Sequence, residues 1–512
     1  MIENFLSIKM LILIPIVGCL IILLPLFPKN STAIRRFAKT VALVNLLYSI
    51  CLIAYFNPEL YGVSYEETLK FGTSQWLSCM GATFTFSLDG FSILFVGLTC
   101  FITFVVLSIS KYFITSRQKL YYSLILIMQS SILGLLCAKD AILFVCFCQL
   151  QIIPLYFLNT LWGANCENTK DKIRFLVSSF LSVSLVCLAV LLLVYYNFRV
   201  TNNLTANLQD LNINELIYTK AFQIFVFLCF FFGFLLRLGI FPFHKLFIDN
   251  VKNAPIPIST LIITSGQLIG IYGLYRFNLL IFPEIFRLSA MYIIILSLIN
   301  LIISTTKAYI EHNIKSIVAV FSLSNVSLIL ISICALNEFS IKGSIIYTVS
   351  NALIATGLMT IVGAIARKTN NQLDLKDLGG LAISMPRLFN FAAIISFAQM
   401  NIPFLISFAG LFMIMIGVIN MDTSLNCLSI VSMSVILLYV FLNYISTLRV
   451  LNKTFLVNYN DKYKTIEDIS INEFSILLLI FLAILFFGVF TGGSIVKVID
   501  TFTIIVGDLI GV

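Results

Sequence analysis

Apolar runs of about twenty residues recur from one end of this 512-residue chain to the other, and they leave few folds open. Coiled as an α-helix, such a run crosses roughly 30 Å of hydrocarbon. Inside a bilayer every backbone N–H and C=O must be satisfied within the protein, which leaves helices or closed barrels. These runs are far longer than barrel strands, so helices are expected. A composition of 60% hydrophobic and 11% charged residues, with mean hydropathy +1.04, excludes a set of soluble domains.

Fourteen spans are expected, at about 9–27, 38–56, 88–110, 119–138, 141–162, 173–196, 220–243, 255–277, 286–306, 314–336, 342–366, 387–420, 427–449 and 472–492. The fold class is therefore all-α integral membrane, a single polytopic domain over 1–512. The first span has no small-residue cleavage site, and it is expected to be retained. Two longer polar stretches, 57–87 and 197–219, are expected on faces that meet neighbouring chains or the aqueous phase.

The formal charge of +9 does not point to nucleic acid, because the basic residues form no patch. They are sorted by side instead: about two thirds of the 32 lysines and arginines fall in the connections after odd-numbered spans. That bias marks the cytoplasmic or matrix face and directs both termini away from it. Most of the 12 cysteines lie inside spans without a Cys-x-x-Cys pair, as small buried hydrophobes do. No zinc or iron–sulfur pattern, Walker loop or Gly-x-Gly-x-x-Gly is present, so nucleotide chemistry is not expected on this chain.

Two spans are interrupted. The seventh breaks at "LGIFPF", around Gly239 and Pro242, and the twelfth at "QMNIPFLISFAG", around Pro403. Proline removes a backbone donor and clashes with the preceding turn, freeing groups that are tolerable only beside protein or water. The breaks are five spans apart. Spans 4–8 and 9–13 therefore read as two five-helix repeats, and an odd number of spans makes the second inverted relative to the first. The chain then divides into N-terminal helices (1–118), repeat one (119–278), repeat two (286–449) and a C-terminal helix and tail (450–512).

The stretch "DLKDLGGLAISMPRLFNFAAIISFAQMNIP", 374–403, resembles the approach to the broken twelfth helix in the subunit 4 family of NADH:ubiquinone oxidoreductase, respiratory complex I. "KDAILFVCFCQLQIIPLYFLNTLWG" (139–163) is similar to its fifth helix and "DKIRFLVSSFL" (171–181) to the start of its sixth. "FPFHKLFIDNVKNAP" (241–255) and "EHNIKSIVAVFSLSNVSLI" (311–329) resemble its seventh and tenth. The resemblance covers about 85–450. Subunits 2 and 5 and sodium/proton antiporter subunits share the fold, but "LNTLWG" and "MPRLFNFAAIISFAQMNIP" favour subunit 4.

That resemblance implies a mid-membrane chain of ionisable groups carrying protons: a glutamate on helix 5, lysines on helices 7 and 8, histidines on helices 10 and 11, and an acid or lysine on helix 12. At the matching positions this chain has Gln149, Arg237, Leu268 (or its neighbour Gln267), Asn325, Asn351 and Leu411. The positions are kept and the titrating chemistry is nearly gone. All 23 acidic residues fall in connections, tails or first helical turns, and His244 and His312 lie at span ends. Glutamine and asparagine hydrogen-bond without titrating, and arginine holds its proton to a pKa above about 12.

An arginine at mid-membrane costs about 2.5–3.5 kcal/mol on insertion scales, so Arg237 is expected to meet polar groups: the Gln149 amide oxygen and carbonyls freed by the Gly239–Pro242 break. His244 and Asp249, past the break, are candidates for proton access, alongside a bland role as a solvated pair. Asp140 is a third access candidate or only a helix N-terminal acid. Lys315, opening helix 10, is a path candidate or a topology anchor. Gly266 and Gly270 suggest close helix packing.

The resemblance implies a membrane-arm subunit that couples NADH-to-ubiquinone electron transfer to proton translocation in the mitochondrial inner membrane, beside antiporter-like subunits 2 and 5 and lipid. FMN, iron–sulfur clusters and ubiquinone would belong to partner subunits, and this chain would hold no cofactor or metal. The lack of a cleavable presequence suggests synthesis inside the organelle, and a bacterial origin stays open. Two alternatives stand beside the pump: a structural arm subunit with a silent channel, and, more remotely, a stand-alone sodium/proton antiporter.

Overall fold

A computed structural model describes residues 7–25, 28, 30–56, 64–68, 75–77, 80–163, 169–213, 219–421, 426–457, 463, 466–489, 500 and 503. Among them, twelve helices are long and apolar enough to cross a membrane. In chain order, the helices are α1 (Ile8–Leu23), α2 (Ser31–Tyr55), α3 (Gly90–Ile109), α4 (Gln118–Cys137), α5 (Ala141–Trp162) and α6 (Thr169–Thr201). After these come α7 (Lys220–Leu238), α8 (Ile256–Gly273), α9 (Pro283–Ile310), α10 (Ile314–Cys334) and α11 (Glu338–Lys368). The twelfth span is divided into two halves, α12 (Pro386–Gln399) and α13 (Ile406–Ile419), and α14 (Asn426–Leu451) and α15 (Ile471–Val489) complete the bundle. α1, α12 and α13 are each shorter than the twelve.

Starts of helices are written locally. Asp89 and Asn337 each form a reciprocal capping box, with Ser92 at the start of α3 and with Ser340 at the start of α11. Asp140 caps α5, accepting from the N–H groups of Ile142 and Leu143 at 2.8 and 3.2 Å, and Asn313 caps α10. These side chains satisfy first-turn donors that would otherwise be orphaned at the membrane edge.

Burial sorts the helices. α10 is covered along its whole length and α8 and α11 nearly so, whereas little more than a quarter of α2, α14 and α15 is covered by protein. Glycine sets the spacing between α7 and α8: a Cβ at Gly270 would meet Leu238 at 2.6 Å, which bears out the close packing expected there.

Both interruptions fall where the prolines put them. α7 ends at Gly239, whose φ of +71° suits glycine, and the chain re-enters helix only for the ten residues His244–Asn253. Between α12 and α13 the break spans 400–405, with Asn401 and Phe404 at positive φ. The freed groups find partners, as Phe241 N–H donates to Asn300 Oδ1 at 3.0 Å and Ser407 Oγ donates to the Ala398 carbonyl at 2.6 Å. A second parallel goes beyond the prolines: α8 and α14 both run on into π-helical turns, Leu274–Leu279 and Asn452–Leu456.

The helical bundle carries one small β addition in a connection outside it. Short strands β1 (Ser64–Thr68) and β4 (Thr85–Asp89) pair antiparallel, as do β2 (Gln75–Leu77) and β3 (Ala82–Thr83). Outside the hydrocarbon, backbone groups of a long connection still need partners, and a hairpin supplies them. This cap joins the other polar excursion, because Gly81 lies against the Leu204 carbonyl and Ala141 N–H donates to the Ala206 carbonyl at 2.9 Å. Residues 57–63, 69–74, 78–79 and 214–218 of the two excursions lie outside the described residues.

Candidate functional site

The interrupted helices and the buried α8, α10 and α11 converge on a line of polar side chains through the bundle. At one end, Arg237, in the last turn of α7, donates from Nη1 to Gln151 Oε1 at 2.6 Å and from Nη2 to the Cys148 carbonyl at 3.5 Å. The partner is thus Gln151 and not the expected Gln149, and the carbonyl comes from α5 and not from the break. Two residues turn an α-helix by roughly 200°, so only one of the two glutamines can face α7. Gln149 is half-buried and Gln151 buried.

The line resumes on α8. The carbonyl of Arg237 is the nearest atom to the position a Cβ would take on Gly266, and the next residue, Gln267, points toward α10 and α11. Gln267 Oε1 accepts from Ser322 Oγ and from Asn351 Nδ2, the latter at 2.9 Å. Gln267 rather than Leu268 therefore joins the polar line, and Leu268 is buried in the apolar core.

From Asn351 the contacts are continuous. Asn325 Nδ2 donates to Asn351 Oδ1 at 3.0 Å and to Gln399 Oε1 at 3.4 Å. Gln399, at the break after α12, donates to Asn443 Oδ1 on α14 at 3.2 Å, and Asn443 Nδ2 returns a bond to the Gln399 carbonyl at 2.6 Å. Tyr439 and Tyr347 donate to Asn325 Oδ1 at 2.8 and 3.2 Å, and Tyr347 also reaches Asn401 Oδ1 at 3.3 Å. Asn325 and Asn351 both lie in this line. Leu411 does not: it is buried one residue after Gly410, which packs on the Tyr347 backbone.

The position-by-position reading missed Gln151, Gln399, Asn443, Tyr347, Tyr439 and Asn300. Their signal is a side-chain amide or phenol set inside an otherwise apolar span, as in Gln399 directly before the break. Every side chain in the line past Arg237 is an amide, a hydroxyl or a phenol. Such groups donate and accept but offer no carboxylate or imidazole to carry a proton.

Ionisable groups lie toward the ends of helices, where, among the described residues, three buried carboxylates sit at N-termini. Asp89 pairs with Arg276, which also donates from Nε to Tyr272 Oη at 3.1 Å. Glu473 pairs with Arg367 at 2.6 Å and accepts from Ser470 N–H at 2.9 Å. The Arg367 guanidinium also lies over the Tyr112 ring, 4.3 Å from its centroid. Asp140, the third, accepts from Thr83 N–H at 2.8 Å; burial raises its carboxyl above the usual range, opposed by the N–H donors of Thr83, Leu143 and Ile142.

The access candidates separate. Asp140 belongs with β3 and Asn207, on the face of the even-numbered connections, whereas His244 and Asp249 follow α7 on the opposite face, so they cannot form one opening. Burial, and then the Lys307 charge, lower the His244 imidazole below its usual value. Lys315 lies in the first turn of α10. It is buried, and its Nζ donates to the Lys252 carbonyl at 3.0 Å and to the Ala254 carbonyl, clasping the end of the helical segment after the α7 break. Among the described residues no group of three or more His, Cys, Asp or Glu side chains is placed to hold a metal ion.

Comparisons with known proteins agree with this geometry. The family described as NADH:quinone oxidoreductase/Mrp antiporter, transmembrane, matches residues 138–438. The chloroplastic NAD(P)H-quinone oxidoreductase chain 4 of Mesostigma viride is 28% identical over 421 residues, covering 82% of this chain and 80% of that one. The NADH-ubiquinone oxidoreductase chain 4 of Marchantia polymorpha is 26% identical, covering 83% and 82%. A chain of respiratory complex I from Thermus thermophilus superposes with a TM-score of 0.82 at 21% identity, over 98% of this chain and 100% of that one. A chain of the Mrp complex from a Dietzia species reaches 0.83 at 17% identity, over 98% and 51%. With more than half of its length matched by the family and the overall fold in common with these structures, the chain belongs to the NADH:quinone oxidoreductase/Mrp antiporter membrane family.

Proposed function

We propose that this chain is the subunit 4 of a proton-translocating NAD(P)H–quinone oxidoreductase, one of the antiporter-like subunits of its membrane arm. The observation that carries the reading is the match to chain 4 proteins over about four fifths of both chains, together with a polar line that threads the two interrupted helices. Neighbouring antiporter-like subunits, of the subunit 2 and 5 type, would flank it. FMN, iron–sulfur and quinone chemistry would stay on partner subunits. The mitochondrial inner membrane, with both termini on the side away from the matrix, is the location that the charge sorting supports. The division into 119–278 and 286–449 as inverted repeats gains support from the paired breaks and the paired π-helical turns. The test is co-purification: an affinity tag on this chain should bring down rotenone-type-inhibitor-sensitive NAD(P)H–quinone reductase activity. Isolation of the chain without such activity, in a membrane where that activity persists, would overturn the assignment.

Within that assembly a specific observation favours the silent-channel alternative over a working one. Past Arg237 the line Gln267, Asn351, Asn325, Gln399, Asn443 offers nowhere for an excess proton to rest. A charge left on water in a bundle of low polarisability is costly, on the order of several kcal/mol after relaxation. The fixed guanidinium adds repulsion at the line's head. The stand-alone sodium/proton antiporter lacks support for a related reason: hard cations take oxygen ligands, usually with carboxylates, and no described carboxylate meets this line.

A further inference from the structure

Three half-buried arginines of the bundle, Arg237, Arg276 and Arg367, are not treated alike. Arg276 faces Asp89 and Arg367 faces Glu473, but among the described residues no carboxylate reaches Arg237. Its two hydrogen bonds go to neutral oxygens, which leave the positive charge uncompensated. Removing one partner from a buried ion pair is strongly unfavourable, so a cation held this way calls for a counter-charge.

Beside the guanidinium lies a cavity of about 80 Å³ between α5, α6, α7, α8 and the segment after the α7 break. That is room for roughly five water-sized positions. Its polar lining is Gln151, Ser178, Ser179, Ser182, Arg237 and Asn250, and its remaining walls are apolar. Ser178 and Ser182 donate to backbone carbonyls. Among the described residues, the hydroxyl of Ser179, the side-chain NH2 groups of Gln151 and Asn250 and the remaining guanidinium N–H groups meet no hydrogen-bond acceptor, and Ser179 and Asn250 are half-exposed. A set of donors around a positive charge with no acceptor of its own matches a negative ligand. Lys245 and Lys252 flank Asn250 on the same segment, and Asp249, the one acidic residue there, does not line the cavity.

We propose that this cavity binds a small inorganic monoanion of halide size, held by Arg237 with Gln151, Ser179 and Asn250. The anion replaces, as a diffusible counter-ion, the charge that a carboxylate on α5 would have supplied. Its size follows from the cavity, whose apolar walls leave no row of donors for a larger polyanion. The inference stands on the cavity and does not depend on the assignment to a particular oxidoreductase.

The test uses the full-length chain purified with its native partners and imaged by electron cryomicroscopy in bromide buffer and in halide-free gluconate buffer. Compact density within hydrogen-bonding distance of the Arg237 guanidinium in bromide, and its loss in gluconate, is the expected result. Arg237→Gln should lose the same density and should lose the rise in Tm that bromide gives the native assembly. If that variant does not assemble, the native comparison alone decides. A neighbouring subunit's carboxylate in the cavity, density continuous with acyl chains, or density indifferent to halide removal would each overturn the proposal.

Discussion

Asn325 is the residue on which the most contacts of the polar line converge. It donates to Asn351 and Gln399 and accepts from Tyr347 and Tyr439, all of them buried. Asn325→Leu would leave several buried donors and acceptors unpaired at about 1–3 kcal/mol each, so a loss of thermal stability beyond that of Tyr439→Phe, which deletes only the bonds of Tyr439 to Asn325 and Tyr347, is expected in the purified assembly. His244 gives a prediction in pH. Its folded pKa lies below the ordinary value of 6.5, so stability is present above that value and lost as pH falls through the folded one. Hydrogen exchange over 244–253 should quicken as pH is lowered from 7 toward 5, after correction for intrinsic rates, and His244→Gln should flatten that dependence. Arg237→Leu removes a charge whose hydrogen bonds, among the described residues, go to α5, and it should lower the amount of assembled complex more than the turnover of the complex that remains.

Elements of this bundle are fastened by a few small or paired residues. Gly270 lets α8 lie against Leu238 of α7, and Gly270→Val would drive two methyl groups into that contact. Overpacking costs about 1–3 kcal/mol, and the expected outcome is a lower Tm with the α7–α8 region losing exchange protection first. α15 depends on a different fastener. With little more than a quarter of its length covered, it is held at its start by Glu473, which binds Arg367 of α11 and the Ser470 N–H. Glu473→Gln keeps hydrogen bonding but removes the charge, while Glu473→Leu leaves Arg367 without its carboxylate. Release of α15 to limited proteolysis at its N-terminal end should therefore be greater for the leucine variant than for the glutamine variant, and digestion of both no faster than that of the native chain would show that the ion pair does not hold it.

For the whole molecule the consequence is a number of protons. If this subunit's route is silent, an oxidoreductase that contains it should translocate fewer protons per electron pair than relatives in which every antiporter-like subunit carries titrating groups. Proton-to-electron stoichiometry in sealed vesicles is the measurement. A full ratio, with no neighbour's carboxylate near Arg237, would show that water and amides suffice. Restoring titrating side chains at Gln151 and Gln267, as Gln151→Glu with Gln267→Lys, should raise the ratio only if silence comes from the missing stations.

Local rules carried much of this reading. Span length and hydropathy determined the membrane class, proline and glycine located both interruptions, and Asp89, Asp140, Asn313 and Asn337 announced helix starts, because each of these effects acts within one or two turns of chain. The motifs "FPFHKLFIDNVKNAP" and "MPRLFNFAAIISFAQMNIP" were sufficient to indicate the family. What the sequence could not decide was which of two neighbouring polar or apolar residues faces inward. Gln149 or Gln151, and Gln267 or Leu268, differ only in rotation about a helix axis, and that rotation is set by the packing of α5 and α8 against their neighbours. The pairing of Asp89 with Arg276 and of Arg367 with Glu473 was equally hidden, since each joins helices far apart in sequence. Tertiary structure alone brought Gln399 and Asn443 to Asn325 and left Arg237 facing a cavity without a carboxylate. A side chain's chemistry is written in its own residue, but its counter-charge is supplied by whichever helix packing brings alongside.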